Sequence, residues 1–222
     1  MIHPWIIAHR GDHRRHIENT LEAFYEAFKQ GAEFVELDIQ MSKDQVLYVF
    51  HDDTPRRFTS CDKPLCHMTS DEIDSLNLQQ LLLDQEGSNW DKPSSQIIRF
   101  HKFLEYFATK ACYYEIKVPT HQWHKNTYLE ALGKKILHSL SLHEIHCDSF
   151  LASFHPLMGQ ILLKNKSTFP YARIFDHNED FEGHFKDLSR LSTTMIEKRI
   201  DYLSLSWKNI VQPRIDEFFQ LD

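Results

Sequence analysis

Long apolar runs are missing from this sequence, and so is an amino-terminal basic segment followed by an apolar one. We therefore expect no bilayer-spanning segment, no stable membrane anchoring and a cytoplasmic location. Internal repeats, low-complexity tracts and linkers are missing too. The 222 residues are accordingly predicted to form a single domain, residues 1–222, around one substantial core.

Positive charge is also scarce, since 25 Lys and Arg face 32 Asp and Glu, for a net charge of -7. This balance argues against a nucleic acid partner and against broad attraction to anionic membranes. An anionic small molecule would need a local positive pocket. Candidates for it are Arg10, Arg14, Arg15 and Lys117.

The four cysteines lack CxxC spacing and are interpreted as reduced structural thiols. Cys112 and Cys147 lie in apolar, strand-like surroundings. The weaker alternative is a zinc site built from Cys61, Cys66 and His67.

Three short apolar segments near the amino terminus each stop at polar residues. They span residues 5–8, 34–39 and 46–50, and an amphipathic helix is predicted between the first two. Strand, helix and strand with short joints are typical of a βαβ unit in a parallel sheet. A parallel barrel gathers its catalytic groups at the carboxyl ends of its strands, where these polar residues would lie.

Six short motifs identify a family resemblance because they stand in the family's order. They are His9-Arg10-Gly11, Glu18-Asn19-Thr20, Gly31-Ala32-Glu33, Glu36-Leu37-Asp38, Ser42-Lys43-Asp44 and His51-Asp52. With Tyr114 to Lys117 and Ser153 to His155 further along, the chain resembles the glycerophosphodiester phosphodiesterases from about residue 6 to about residue 214. The resemblance implies an α/β fold, a TIM-type (β/α) barrel of the superfamily that includes phosphatidylinositol phospholipases C.

Seven strands of that barrel can be read from the sequence. The family's eighth βα unit has no counterpart, so the barrel is open, or closed by the last segment, or covered by a second subunit in a homodimer. An insertion of about residues 53–97 follows the third strand, with a short helical segment near residues 70–76 that Ser70 is predicted to cap. It either helps form the substrate entrance, as in the family, or is a decorative loop. The remaining strands are predicted at 111–117, 149–154, 171–175 and 202–206, and helices at 100–109, 126–140, 156–165, 187–198 and 212–221.

A metal site is predicted from three carboxylates, Glu36, Asp38 and Glu115. Glu36 and Asp38 share one face of a strand because side chains alternate. Three carboxylates in one barrel mouth would repel one another without a cation, and oxygen ligands suit Mg²⁺ or Ca²⁺ better than zinc. The resemblance places a divalent cation on the same positions. The alternative reading is a set of solvated surface acids.

The acid/base candidates are His9 and His51, because imidazole can take or give a proton near neutral pH. In the family one histidine assists attack and the other protonates the departing alcohol. The sequence leaves open which residue has which role.

Substrate contacts are predicted for five residues. Arg10 and Lys117 can stabilise a phosphate. Glu18 and Asn19 match the family's Glu-Asn pair near metal and substrate, with helix capping as a competing role for Asn19. Phe154 resembles the family's apolar wall residue, with a core position as the alternative.

The predicted function is divalent-metal-dependent hydrolysis of glycerophosphodiesters to sn-glycerol 3-phosphate and an alcohol. Two alternatives remain. One is a lysophospholipid or sphingolipid phosphodiesterase of the same superfamily, and the other is a non-catalytic phosphodiester-binding protein.

Overall fold

The computed structural model describes residues 6–78, 96–175 and 202–205. Six parallel strands follow one another in the order β1-β2-β4-β5-β6-β7, and a further strand, β3, pairs with β2. The strands are β1 (Ile7–His9), β2 (Phe34–Met41), β3 (Leu47–Val49), β4 (Cys112–Ile116), β5 (Phe150–Ser153), β6 (Tyr171–Phe175) and β7 (Tyr202–Leu205).

Helices connect these strands along the chain, as expected for an α/β fold. Neighbouring parallel strands are joined through α1, α4 and α5, which return the chain to the start of the next strand. The helices are α1 (Leu21–Lys29), α2 (Ser70–Asp74), α3 (Phe100–Phe107), α4 (Asn126–Ser141) and α5 (Met158–Lys164), with 3₁₀ turns at Pro55–Arg57, Leu65–His67 and Thr120–Gln122. None of the described helices is long and apolar enough to span a bilayer.

The direction of β3 corrects one detail of the prediction, which counted the third segment among the barrel strands. β3 runs antiparallel to β2, with Ile39 opposite Val49 and Met41 opposite Leu47. The connection from residue 42 to 46 is far too short for a parallel crossover. It closes instead as a hairpin, in which the Ser42 N–H donates to the Val46 carbonyl over 2.9 Å. The hairpin brings the segment after β3 back beside β2.

The main core lies where β2 and β4 pack against α1, α3 and α4. All eight residues of β2 are buried, as expected for the centre of a parallel sheet. Rings of α1 and α3 pack edge to face, with Phe24 and Phe103 centroids 5.0 Å apart. The side chain of Thr20 caps α1 by accepting from the Ala23 N–H. Thr20 is therefore the cap, which leaves Asn19 for another role.

The first part of the insertion forms a second small core against β3. Its buried residues include Tyr48, Phe58, Leu65 and Ile73, so residues 53–78 are a folded part of the molecule. Helix α2 is capped by Thr69, in a capping box with Glu72, rather than by Ser70 as predicted. The remainder of the insertion, residues 79–95, and the predicted helices at 187–198 and 212–221 lie outside the described residues.

Candidate active site

Three carboxylates meet where β2 and β4 lie side by side. Asp38 and Glu115 face each other in the strand register, and Glu36 is two residues before Asp38 on the same face. Their exposed fractions are 3% for Glu36, 0% for Asp38 and 8% for Glu115. One oxygen from each lies within 4.8 Å of the others. The structure thus brings together the three residues predicted to hold a metal.

These buried oxygens are incompletely satisfied by the protein. Glu36 Oε1 and Asp38 Oδ1 have no hydrogen-bond partner among the described residues, and Glu115 Oε1 has Lys117 Nζ at 2.9 Å as an ion-pair partner. Burial, then the charges of Asp38 and Glu115, raise the pKa of Glu36 well above its usual value. Burial also raises the pKa of Glu115. Buried, clustered and under-partnered oxygens fit a hard divalent cation.

The two predicted histidines lie at or just after the ends of β1 and β3, which both pair with β2. His9 ends β1, and its Nε2 atom lies 3.8 Å from Glu36 Oε2, with 60% of the side chain exposed. Burial of the rest of the ring, followed by the charge of Arg10, lowers the pKa of His9. His51 follows β3 and donates from Nδ1 to Asp52 Oδ1 over 2.6 Å. Its ring lines the same cleft as Glu115 and Lys117.

Gln40 fixes the segment that carries His51, and sequence reasoning missed it. Its buried side-chain amide nitrogen lies 2.8–3.0 Å from the carbonyl oxygens of Phe50, His51 and Asp52, which share its two N–H donors. In the sequence Gln40 is an ordinary polar residue at the end of a strand, and only the antiparallel return of β3 gives it this role.

Arg10 sits in a sharp turn directly after β1. Its backbone N–H donates to Glu36 Oε2 over 3.0 Å, and its Nε atom lies 3.1 Å from Asp38 Oδ2. The turn has positive φ at Arg10 (57°) and Gly11 (79°). A Cβ at Gly11 would lie 2.6 Å from the Ala23 carbonyl carbon, so this position requires glycine.

Glu18 and Asn19, which follow this turn, make hydrogen bonds to the carboxylate cluster and to two arginines. Asn19 Nδ2 donates to Asp38 Oδ2 over 2.8 Å, so Asn19 orients a carboxylate. Glu18 accepts from Arg10 Nη1 over 3.0 Å and also from Arg57. Arg57 lies in the insertion and was not among the residues that the sequence motifs pointed to.

Lys117 and Phe154 line one wall of a cleft that borders Glu115. Lys117 Nζ lies 2.9 Å from Glu115 Oε1 and 3.8 Å from Asp38 Oδ1, and 5.5 Å from the centre of the Phe154 ring. A cleft of about 580 Å³ opens beside them and is also lined by Trp123 and His51. Phe154 is therefore a wall residue that is also packed against a small apolar cluster.

The remaining sequence candidates lie elsewhere. Arg14 and Arg15 are exposed in the turn after β1, and Arg15 Nη1 lies 3.9 Å from Glu26. Of the three described clusters with metal-ligand geometry, none contains Cys61, Cys66 or His67, so the zinc alternative is not supported. Cys147 is exposed in a turn, contrary to its predicted apolar setting.

Comparison with known proteins identifies the family. The sequence model of the Glycerophosphoryl diester phosphodiesterase family matches residues 9–193. The chain belongs to this family. It is 43% identical over 72 residues to a glycerophosphodiester phosphodiesterase of Caldanaerobacter subterraneus, covering 32% of this chain and 30% of that protein. It is 44% identical over 71 residues to human glycerophosphodiester phosphodiesterase 1, covering 32% of this chain and 22% of the human protein. These matches span less than a third of either relative's length.

Solved structures of phosphodiesterases support the same fold over nearly the whole chain. A putative glycerophosphoryl diester phosphodiesterase from Silicibacter pomeroyi gives a TM-score of 0.80 at 16% identity, covering 99% of this chain and 81% of that one. An Oleispira antarctica phosphodiesterase, solved in complex with the product sn-glycerol-3-phosphate, gives 0.64 at 18% identity, covering 96% and 97%. At these identities the likeness concerns the fold, which is the TIM-type α/β barrel of the family.

Proposed function

We propose that this protein hydrolyses glycerophosphodiesters to sn-glycerol 3-phosphate and an alcohol, with a divalent cation as cofactor. The observation that carries the proposal is the buried cluster of Glu36, Asp38 and Glu115. Two imidazoles and two cationic side chains surround it. Each chemical need of phosphodiester cleavage has a residue within this one site.

The three carboxylates would hold the cation, which is Mg²⁺ or Ca²⁺ because all their ligand atoms are oxygens. When bound, such an ion supplies Lewis-acid polarisation of a phosphoryl oxygen. Asn19 orients Asp38 through its 2.8 Å hydrogen bond. Lys117 holds Glu115 through an ion pair of 2.9 Å, and fixed ligands of this kind favour tight binding.

His9 and His51 would move the two protons of the reaction. Phosphodiester cleavage requires one proton to leave the nucleophile and one to reach the leaving alkoxide. Because Asp52 accepts from Nδ1 of His51, the proton-exchanging atom of His51 is Nε2. His9 lies on the other side of the cluster, beside Glu36. Two separately placed imidazoles can serve as acid and base in one step.

Arg10 and Lys117 would receive the phosphate, because both place a cationic group beside the carboxylates, with Arg10 Nε 3.1 Å and Lys117 Nζ 3.8 Å from Asp38. Their charges can stabilise the extra negative charge of the transition state. Phe154, with Trp123 beside it in the cleft, offers apolar surface to the glycerol and alcohol parts of the substrate.

The test is release of sn-glycerol 3-phosphate from glycerophosphocholine and glycerophosphoethanolamine. Reactions contain Mg²⁺, Ca²⁺ or a chelator, and lysophosphatidylcholine is assayed in parallel. We expect turnover of the glycerophosphodiesters that stops with chelator. Turnover of the lyso-lipid alone would move the proposal to lipid substrates. Ligand binding without any turnover by folded, cation-loaded protein would contradict an enzymatic function.

A further inference from the structure

Arg57 comes from the insertion, yet its guanidinium group lies against residues that follow β1 and β3. It donates to both oxygens of Asp52, from Nε to Oδ2 over 2.7 Å and from Nη2 to Oδ1 over 3.1 Å. It also donates to both oxygens of Glu18, from Nη1 to Oε2 over 2.9 Å and from Nη2 to Oε1 over 2.5 Å. The planar, forked guanidinium is the only side chain that can hold two carboxylates in this way.

The position of Arg57 is set by the second core. Its guanidinium carbon lies 4.4 Å from the centre of the Phe58 ring, and Phe58 is buried in turn against Phe50. Cation–π contact with a buried ring restrains the guanidinium from a third side. The folded insertion therefore holds the guanidinium group of Arg57 in a fixed position beside the candidate active site.

Both carboxylates that Arg57 holds also serve residues of the proposed reaction. Asp52 accepts the Nδ1 proton of His51 over 2.6 Å. Glu18 accepts from Arg10 Nη1 over 3.0 Å, and Arg10 Nε lies 3.1 Å from Asp38. Arg57 is thus the central member of an alternating chain of charges that runs from His51 to the carboxylate cluster.

The guanidinium of Arg57 supplies positive charge and donors to a cluster whose spacing is otherwise typical of a cation site. Ligand atoms of Glu18, His51 and Asp52 lie within 4.8 Å of one another. Although burial alone would raise them, hydrogen bonds from Arg57 help to hold the pKa values of Glu18 and Asp52 below their usual range. Without the guanidinium, two partly buried carboxylates would repel each other next to His51.

We propose that Arg57 is a positioning residue: through Asp52 it fixes the tautomer and orientation of His51, and through Glu18 it fixes Arg10. The proposal rests on the proposed function for its kinetic consequence. Its structural consequence, the state of the His51 ring, stands without any turnover. Arg57 acts through the two carboxylates, because four of its five N–H groups donate to them.

The kinetic experiment compares Arg57→Met, Arg57→Lys and the control Arg56→Met. Arg56 is the neighbouring arginine, 73% exposed and paired with Asp62 at 3.2 Å. For Arg57→Met we expect kcat to fall roughly 10- to 100-fold, as for other residues that orient a catalytic imidazole, with KM changed by less than about twofold. Lysine keeps the charge but loses the fork, so Arg57→Lys should recover only part of kcat. Arg56→Met should match the wild type.

A double-mutant cycle and a spectroscopic readout separate positioning from other roles. In Asp52→Asn, adding Arg57→Met should lower kcat by a smaller factor than it does in the wild type, since the route through Asp52 to His51 is already lost and only the route through Glu18 to Arg10 remains. Imidazole ¹⁵N NMR, with the His51 signal identified by its loss in His51→Gln, should show a protonated Nδ1 in the wild type. Arg57→Met should lose this fixed tautomer, whereas Arg56→Met should keep it.

Three results would overturn the proposal. A rise in KM with unchanged kcat would make Arg57 a substrate contact. A fall in kcat that only follows the loss of folded protein would make its role purely structural. An unchanged His51 tautomer in Arg57→Met would exclude positioning. An inactive wild type with the expected change in tautomer would refute the proposed function and leave the control of His51 by Arg57 intact.

Discussion

Two groups of carboxylates differ sharply in how well the protein satisfies them. Glu36 and Asp38 are buried with oxygens that lack a hydrogen-bond partner among the described residues, and burial raises the pKa of Glu36. Asp74, within the insertion, accepts from Arg99 and from Tyr48, which lower its pKa against the effect of burial. The first arrangement lowers the stability of the fold when no cation is bound, whereas the second raises the stability of the fold.

The difference separates the proposed cation site from a group of carboxylates that supports the fold. Asp74 and Asp44 hold α2 and the β2–β3 hairpin in place, and their oxygens are taken up by hydroxyl, backbone and guanidinium donors. In contrast, Glu36 and Asp38 at the mouth of the barrel each have an oxygen that no described hydrogen-bond donor reaches. Unsatisfied buried charge is expected where a ligand will complete the shell.

The largest expected effect comes from Glu36→Gln, which breaks the first group while keeping its shape. Glutamine can still accept from the Arg10 N–H, which now donates to Glu36 over 3.0 Å. We expect turnover to fall by about 100-fold or more. In the presence of chelator the free energy of unfolding should rise by about 1 kcal/mol or more, because a repulsive buried charge is gone.

Urea unfolding with chelator, and turnover with cation, would measure both effects. Glu105→Gln serves as the control, since Glu105 is exposed and pairs with Lys102 on α3. If Glu36→Gln lowered stability in chelator as well as turnover, the cluster would be a stabilising network, and the contrast between the two groups would disappear.

A smaller effect is expected for Tyr48→Phe in the second group, where stability should fall and turnover should be kept. The Tyr48 hydroxyl donates to Asp74 Oδ1 over 2.8 Å, with the Ser70 carbonyl at 3.1 Å as a second acceptor, and the side chain is fully buried. Losing a hydrogen bond to a charged partner should cost about 1–3 kcal/mol. Turnover should stay within about twofold, since the pair supports the insertion without reaching the carboxylate cluster.

The matched control is Tyr106→Phe, the same chemical change at a ring that is 59% exposed. Denaturant midpoints of the two variants give the comparison. Equal midpoints, or a loss of turnover in Tyr48→Phe without a loss of stability, would contradict the supporting role of this group.

The smallest effect concerns pH and Asp44. Hydrogen bonds from Ser42, and then from Ser70, lower the pKa of Asp44 to about 2, below an unfolded value of about 3.9. A depressed pKa in the folded state contributes stability that is complete above the unfolded value and is lost as pH falls toward 2. The wild type should therefore be more stable than Asp44→Asn at pH 6, with the gap closing between about pH 4 and pH 2.

Thermal unfolding of both proteins across this range would measure the gap. A gap of constant size down to pH 2 would mean that the Asp44 charge contributes nothing.

Much of the fold and the carboxylate cluster could be predicted from the sequence, because local periodicity indicates the strands and helices while the family resemblance implies the barrel and groups Glu115 with Glu36 and Asp38. Glu36 and Asp38 share a face by strand alternation alone, and Glu115 is brought opposite Asp38 by parallel pairing. The pattern around residues 126–140 predicted a helix that the structure confirms as Asn126–Ser141. Such features need only the residues of one or two adjacent strands or a single helix.

Other features depend on contacts that no local pattern contains. The direction of β3 is set by a short hairpin, and the role of Gln40 follows from that direction. Arg57 lies in a polar, proline-containing stretch, and its two carboxylate partners are 5 and 39 residues away. Thr69 rather than Ser70 caps α2 by a difference of one residue, which sequence patterns rarely resolve.

Calorimetric titration of the chelated protein with Mg²⁺ and with Ca²⁺ most directly tests the claim that the buried carboxylates form a cation site. We predict one saturable site in the wild type and its loss, or a weakening of at least about tenfold, in Glu36→Gln. Thermal stability of the wild type should rise with cation concentration by mass action. Equal binding by wild type and Glu36→Gln, or no binding by folded wild type, would contradict the claim.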